Sequence, residues 1–482
     1  MEGDSMKLER QQRVKDMTEG KPIVLILLFA VPIFLGNIFQ QFYNIVDTVI
    51  AGRYLGDESL AAIGATSAIY SLVLCLVNGM NNGYAILVAR AFGEKNEEKV
   101  KDSVGLMLVL NIISIVLVTI LSVLFIGPLL KVLHTPEEIY AQAYSYIIII
   151  LIGLGITIFY NMEAAVLRAL GNSMTPLVYL IIASCINVAL DLVLIVIFKM
   201  GVEGLALATV IAQLISVILC LYHIKKNYPI LKLHRSNYKF EKEAFAEMFT
   251  TGLSMGLMLS IFSIGTVILQ SAINGLGTLT ITAHLAARKV FDIFNLPLGT
   301  ISNANATFVS QNFGAKKYER VREGIRKSCV LGILWGVIAN VIVFFGAEQL
   351  VEFMTSSKER YVVETAARYL HINLPFFLVL AVLYILRTSL QGMGRKITPL
   401  VSSGLELVGK VVATLALIPV IGYLGVCVVE PATWVACTIW LAFSYYFAIR
   451  NYKTTSRGKN KKRFNHNACP KRIKYSEEDC TL

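Results

Sequence analysis

This chain of 482 residues is short of charge: only 16% of it is Asp, Glu, Lys or Arg, against 56% hydrophobic residues. A soluble chain of that length would divide into several cores and carry more charged surface, so the shortage excludes an ordinary globular protein. A glycine-rich phosphate loop of the GxxxxGK[ST] type is also missing, which argues against direct ATP hydrolysis. The sequence has neither an HExxH metal motif nor a serine nucleophile with orienting partners, so an enzyme is not expected. The eight cysteines show no pairing or metal spacing and read as core or interface residues, and no cofactor is expected.

What fills the chain instead is a succession of apolar runs of about 20 residues or more, long enough to cross a bilayer as helices. Their length and lack of strict alternation exclude barrel strands. The expected spans are 23–51, 60–87, 104–126, 139–162, 176–198, 204–223, 247–272, 280–306, 328–350, 363–386, 397–419 and 424–448. Twelve spans put both termini on one side. Lys7, Arg10, Arg13, Lys15 and Lys21 precede the first span, a basic tail follows the last, and the basic stretches 90–101, 225–242 and 316–327 share that side. The opposite loops hold only Arg53, Lys131, Lys199, Lys358 and Arg360. The positive-inside rule then makes both termini cytoplasmic, in a multi-pass protein of the inner or plasma membrane. Topology accounts for the net charge of +12; nucleic acid is not an expected partner, whereas membrane lipids are. The first span follows a polar segment without a small-residue cleavage site and reads as a retained helix.

The two halves of the chain repeat one another. ARAFGEKNEEKVKDS (89–103) returns as SQNFGAKKYERVREG (310–324), with Phe92/Phe313, Gly93/Gly314, Glu98/Glu319 and Val100/Val321 at an offset of 221. LGNSMTP (170–176) answers MGRKITP (393–399) at an offset of 223. The expected organisation is a cytoplasmic segment 1–20, an amino lobe 21–224 of six helices, a linker 225–245, a carboxyl lobe 246–450 of six helices, and a basic tail 451–482. Parallel repeats of this kind suit two bundles rocking about a central cavity, and therefore transport.

Isolated polar groups mark where such a transporter would work, because a carboxylate in lipid is costly. From Pro22 to Ala51 the only residue charged at neutral pH is Asp47. Counting from span ends at about 1.5 Å per residue, Asp47, Asn187, Asp191 and Thr209 all fall between the mid-plane and the outer third. Asn187 and Asp191 are four apart and share a helix face. If spans one, five and six adjoin, two carboxylates in low dielectric would resist double ionisation, so protonation could change helix packing. The same oxygens, with the amide and hydroxyl, could instead hold sodium. Gln40, Tyr43 and Asn44 form a polar strip below Asp47 that reads as a substrate surface, with Phe39, Phe42 and Tyr70 as further cavity candidates. Glu430 corresponds to Thr209 by the repeat offset and either touches substrate or a cation, or pairs within the bundle with Lys410. Arg288/Asp292 and Glu406/Lys410, each four apart, read as local pairs. Glu163 and Arg168 read as interfacial residues at the end of span four.

VPIFLGNIFQQFYNIVDTVIAGRYLG, the Asn187/Asp191 pair in INVALDLVLI, and RALGNSMTP resemble the multidrug and toxic compound extrusion (MATE) family, bacterial type, over roughly residues 20–450. The resemblance implies an all-α polytopic protein of two six-helix lobes, working as a secondary active antiporter by alternating access. It implies export of small organic cations or amphipathic compounds in exchange for protons, or alternatively sodium. Asp47, Asn187, Asp191 and Thr209 then match the amino-lobe coupling site, and Pro32 the proline associated with bending of helix one, where a backbone donor is missing. Span seven holds Gln270 but no acid, and span ten no cavity acid, unlike the sodium-coupled branch with carboxylates there. The protein is expected to act as a monomer. Two rivals are a lipid-linked saccharide flippase, which would need a basic cavity, and a non-transporting receptor, which would need a sensing domain that is not apparent.

Overall fold

The computed structural model describes residues 16–132, 135–238, 241–355 and 359–466. The expected amino-terminal segment is thus described from Asp16 on and the expected tail as far as His466; the remainder of each lies outside the described residues. The described chain is helical: α1 Pro22–Tyr54, α2 Asp57–Gly93, α3 Glu97–Val132, α4 Glu137–Ile152, α5 Leu154–Ala169, α6 Met174–Leu192, α7 Val202–Asn227, α8 Lys242–Asn274, α9 Thr278–Gly314, α10 Tyr318–Thr355, α11 Arg360–Asn373, α12 Phe377–Gly392, α13 Ile397–Val412, α14 Ile418–Ile421 and α15 Tyr423–His466. It divides into a unit Met1–Leu441 and a unit Ala442–Leu482; all contacts described below lie within the first.

Local signals explain the helix starts. Pro22 opens α1, where its missing N–H is no loss, and acidic pairs sit in the first turns of α2 (Asp57, Glu58), α3 (Glu97, Glu98) and α4 (Glu137, Glu138). Pro32 lies buried inside an α1 that runs on without a break. Among the described residues ten helical stretches are long and apolar enough to cross a membrane, or eleven when α4 and α5, bent by 45°, are taken as one span. That is an all-α polytopic membrane protein, with fewer qualifying spans than the twelve expected. The expected span that falls short is 280–306, within α9: it carries His284, Arg288, Lys289 and Asp292. The expected span 139–162 is also different in kind. It breaks at Gly153 and continues to Ala169, which draws Glu163 into the interior at 2% exposure instead of leaving it at an interface.

The repeat read from the sequence is visible in the backbone. Lys95 and Lys316 both turn the chain with positive φ, 57° and 58°, at the same offset as the sequence match. A π-helical turn ends both α6 (Val193–Ile197) and α13 (Ala413–Leu417). The halves meet where side chains vanish. A methyl group at Gly79 would lie 2.6 Å from the Cα of Gly256, and one at Gly83 would lie 2.6 Å from that of Gly252, so α2 and α8 cross backbone against backbone.

At one end of these helices the contact is nearly two-fold. Gly93 abuts the carbonyl of Gln311, and Gly314 abuts the carbonyl of Arg90. Arg90 Nε donates to the carbonyl of Gly392 (3.0 Å), while its repeat counterpart Gln311 donates through Nε2 to the carbonyl of Ala169 (2.8 Å). The segment Asp16–Gly20 is fastened across this end. The Met17 N–H donates to Gln311 Oε1 (2.9 Å), Asn312 Nδ2 donates to the Met17 carbonyl (3.0 Å), Lys317 donates to the Thr18 carbonyl (2.9 Å), and Arg320 donates to that of Gly20 (2.9 Å). From the amino half, Lys95 pairs with Glu19 at 3.1 Å and Asp16 at 3.6 Å. Met17 and Thr18 are each only 1% exposed.

Candidate functional site

Helices α1, α6 and α7 do adjoin, and the four residues picked by depth come together between them. Asp47 lies in the last two turns of α1, Asn187 and Asp191 lie one turn apart on α6, and Thr209 lies on α7. The Asn187 amide fits one way round only. With its nitrogen toward the acids it donates to Asp47 Oδ1 at 3.0 Å and to Asp191 Oδ2 at 3.1 Å, while its oxygen accepts from the Thr209 N–H at 3.2 Å. The reverse would set an amide oxygen against two carboxylates. Asn187 and Asp191 are wholly buried, and Asp191 Oδ1 has no hydrogen-bond partner. The Thr209 hydroxyl donates to the Leu205 carbonyl (3.1 Å) and lies 3.5 Å from the Tyr43 hydroxyl.

The cluster opens on a cavity of about 610 Å³ lined by Gln40, Tyr43, Asn44 and Asp47 from α1, with Asn187 and Thr209 across it. Tyr70 joins this wall as expected, and so does Tyr146, which sequence reasoning did not single out. Phe39 and Phe42 do not. They are exposed, at 41% and 62%, and line neither this cavity nor the smaller one beside it. The α-helical period gives the reason: residues 40, 43, 44 and 47 form one stripe, and 39 and 42 fall off it. Among the described residues no group of three or more His, Cys, Asp and Glu could hold a metal ion.

Glu430 is not part of this site. It is buried in the carboxyl half, where Arg288 Nη1 reaches its Oε2 at 3.1 Å and the Tyr369 hydroxyl donates to the same oxygen at 2.6 Å. Lys410 lies 3.9 Å from its other oxygen, so the pairing expected with Lys410 is real but secondary to that with Arg288. The local pairs expected from spacing extend into a ladder of alternating sign. Asp292 meets Arg288 at 3.2 Å, Arg288 meets Glu430, Lys410 reaches Glu406 at 3.7 Å, and Glu406 meets Arg387 at 3.3 Å. Three acids and three bases cancel. His284 faces the Tyr423 hydroxyl at 3.2 Å and stacks edge-on against Tyr369.

Comparison with known proteins identifies the family and the fold. The pattern that defines the MatE family matches residues 32–193 and, a second time, residues 254–415. The chain is 28% identical over 460 residues to the probable multidrug resistance protein YoeA of Bacillus subtilis strain 168, covering 93% of this chain and 98% of that one. It is 24% identical over 382 residues to the probable multidrug resistance protein NorM of Thermotoga maritima, covering 78% and 81%. The fold is that of a crystal structure of MATE in the bent conformation, with a TM-score of 0.83 at 20% identity over 92% of this chain and 98% of that chain. The chain belongs to the MatE family, and it is a secondary active efflux transporter, not an enzyme.

Proposed function

We propose that this protein exports small organic cations or amphipathic compounds by exchanging them for protons at Asp47 and Asp191. The observation that carries the reading is the single Asn187 amide held between both carboxylates, with one Asp191 oxygen left without a partner. Two acids joined to one neutral amide resist double ionisation, and the free oxygen is the place for a proton. Asp47 and the strip Gln40, Tyr43 and Asn44 are on one helix, so a change of charge at one end alters the wall of the cavity at the other. Sodium is the nearest alternative. The amide favours the proton, because a donor nitrogen stands between the carboxylates where a hard cation would need oxygen.

The reading includes the finer architecture: twelve spans in two six-helix lobes, 21–224 and 246–450, joined by 225–245. Here α9 counts as a span, the eighth of the twelve, its charges met in part by the ladder to Glu430. Pro32 serves as a bending point of α1. Both termini are cytoplasmic, following the basic residues, and the monomer is the working unit. Reconstituted protein driven separately by proton and sodium gradients tests the mechanism. A proton gradient is expected to move a cationic dye outward, and Asp47→Asn, Asp191→Asn or Asn187→Leu each to slow it at least tenfold. Movement driven by sodium alone would favour the alternative, and undiminished proton-driven transport in the double aspartate variant would end the proposal.

A further inference from the structure

Just inside the end fastened by Arg90, Gln311 and Asp16–Gly20 lies a second cavity, of about 260 Å³. Among the described residues no carboxylate lines it, and Arg168 is its one charged group. The rest of its polar wall is amide: Asn78, Asn81, Asn82, Asn161 and Asn303. Arg168 is the last residue but one of α5. The next carbonyl, that of Ala169, accepts the Gln311 amide at 2.8 Å, and the cavity reaches Ala89 and Ser310, which precede Arg90 and Gln311. The half-buried guanidinium thus stands on the cavity floor, at the closure and away from the coupling acids. It makes no hydrogen bond or ion pair with any described residue. Glu163, five residues earlier on the same helix, is not its partner: both Glu163 oxygens are buried and unbonded.

A cavity walled by amides suits water, and Asn81, 1% exposed, leaves its side-chain oxygen without a protein partner. Gln40, Asn78 and Asn161 line this cavity and also the larger one that holds Asp47, so polar wall runs unbroken from the coupling acids to the closure. For a proton exchanger that continuity is a liability. Protons move along hydrogen-bonded water, and a route past the acids would carry them across with nothing moved in return. A fixed cation in low dielectric repels a hydronium that approaches it, which is how a lone arginine bars protons from a wet pore. We infer that Arg168 is an electrostatic barrier, whose uncompensated charge stops protons and small cations from leaking past the fastened end. This rests on the proton-exchange reading above and adds to it a residue that need touch neither substrate nor coupling ion. It also gives a reason for an arginine without an acid, since pairing would cancel the field.

The test is substrate-free proton flux into vesicles containing the full-length protein, driven by an inside-negative potassium diffusion potential and read by a trapped pH dye, with chloride flux followed in parallel. Wild-type vesicles are expected to leak protons no faster than protein-free ones. Arg168→Gln is expected to raise the proton leak about tenfold or more, Arg168→Glu further, and Arg168→Lys to leave it near wild type, with chloride flux no higher in any of them. Ala165→Asp keeps Arg168 and sets an acid three residues before it on the same cavity wall. It is expected to raise the leak while Ala165→Asn does not, so the inference stays testable if Arg168→Gln fails to fold. Proton and chloride flux rising together in Arg168→Gln would show a loosened closure and overturn the inference. So would a leak that stays at the wild-type level in both Arg168→Gln and Ala165→Asp, or equal leaks in Ala165→Asp and Ala165→Asn. Export of a cationic dye under a proton gradient, measured on the same vesicles, keeps the two readings apart. Wild-type export with no added leak in Arg168→Gln overturns the barrier alone; no wild-type export with a leak ordered by charge overturns the exchange reading alone.

Discussion

Glu430 shows how the same residue type takes different parts in the two halves. At the repeat position where the amino half has Thr209, the carboxyl half has an acid, but Arg288, Tyr369 and Lys410 surround it. Asp191 has instead one amide and an empty oxygen. A carboxylate held by fixed cations is a structural charge, whereas one held by a neutral amide is free to change its own. Glu430→Gln should therefore leave Arg288 and Lys410 poorly compensated and lower stability by roughly 3–5 kcal/mol, read as a marked fall in the thermal midpoint in detergent. Affinity for a cationic dye should be unchanged in protein kept below that midpoint; a selective loss of dye affinity with an unchanged midpoint would return Glu430 to the binding surface.

At the scale of helices, the crossing of α2 with α8 and α9 rests on residues that lack side chains. An alanine at Gly93 would drive its methyl into the backbone of Gln311, and backbone cannot rotate aside as a flexible side chain can. Overpacking of this kind costs about 1–3 kcal/mol. Gly93→Ala should lower the thermal midpoint, while Gly64→Ala, with open space around it, should leave the midpoint in place or raise it slightly. Equal midpoints for the two variants would show that the helices do not meet at Gly93.

The same scale explains what could be read in advance. Helices in lipid announce themselves by composition, and a lone Asp in an apolar run by its cost, so Asp47, Asn187, Asp191 and Thr209 were recoverable by counting depth. The repeated Gly93/Gly314 pair marked a shared local structure. Much of what Arg90 holds was hidden, because two of its acceptors are the carbonyls of Gly392 and Gln391, and a backbone acceptor leaves no mark in sequence. The expected span 280–306 was legible by position but not by hydropathy, since α9 carries several charges, and Arg288 finds partners on α11 and α15, Tyr369 and Glu430, that no local window contains.

For the whole molecule, exchange between open states requires the end closed by Arg90, Gln311 and the segment Asp16–Gly20 to part. Each hydrogen bond there contributes about 0.5–1.5 kcal/mol, more where a charge takes part, so occupancy of the proposed coupling site must offset several of them. Lys317→Ala removes one such bond from the Thr18 carbonyl without touching either cavity. Spin labels at Lys99→Cys, exposed on the amino half, and Arg322→Cys, half-buried on the carboxyl half, should then report a larger share of long distances. The pH response separates this fastening from the proposed coupling acids, Asp47 and Asp191. Burial alone would push the Asp16 carboxyl up, but hydrogen bonds from Thr18 and the nearby Lys95 ammonium hold it below the usual carboxylate range. A group depressed in the folded state stabilises above its ordinary titration and loses that contribution as the pH falls through its lowered value, here below about 4. Asp16 therefore stays charged from about pH 5 to 8, and a change in the label distances across that window must come from elsewhere in the protein. Asp16→Asn should shift the distances equally at every pH in the window, whereas Asp47→Asn with Asp191→Asn should remove their dependence on pH. If Asp16→Asn alone abolished that dependence, the proton would be acting at the fastened end and not between α1 and α6.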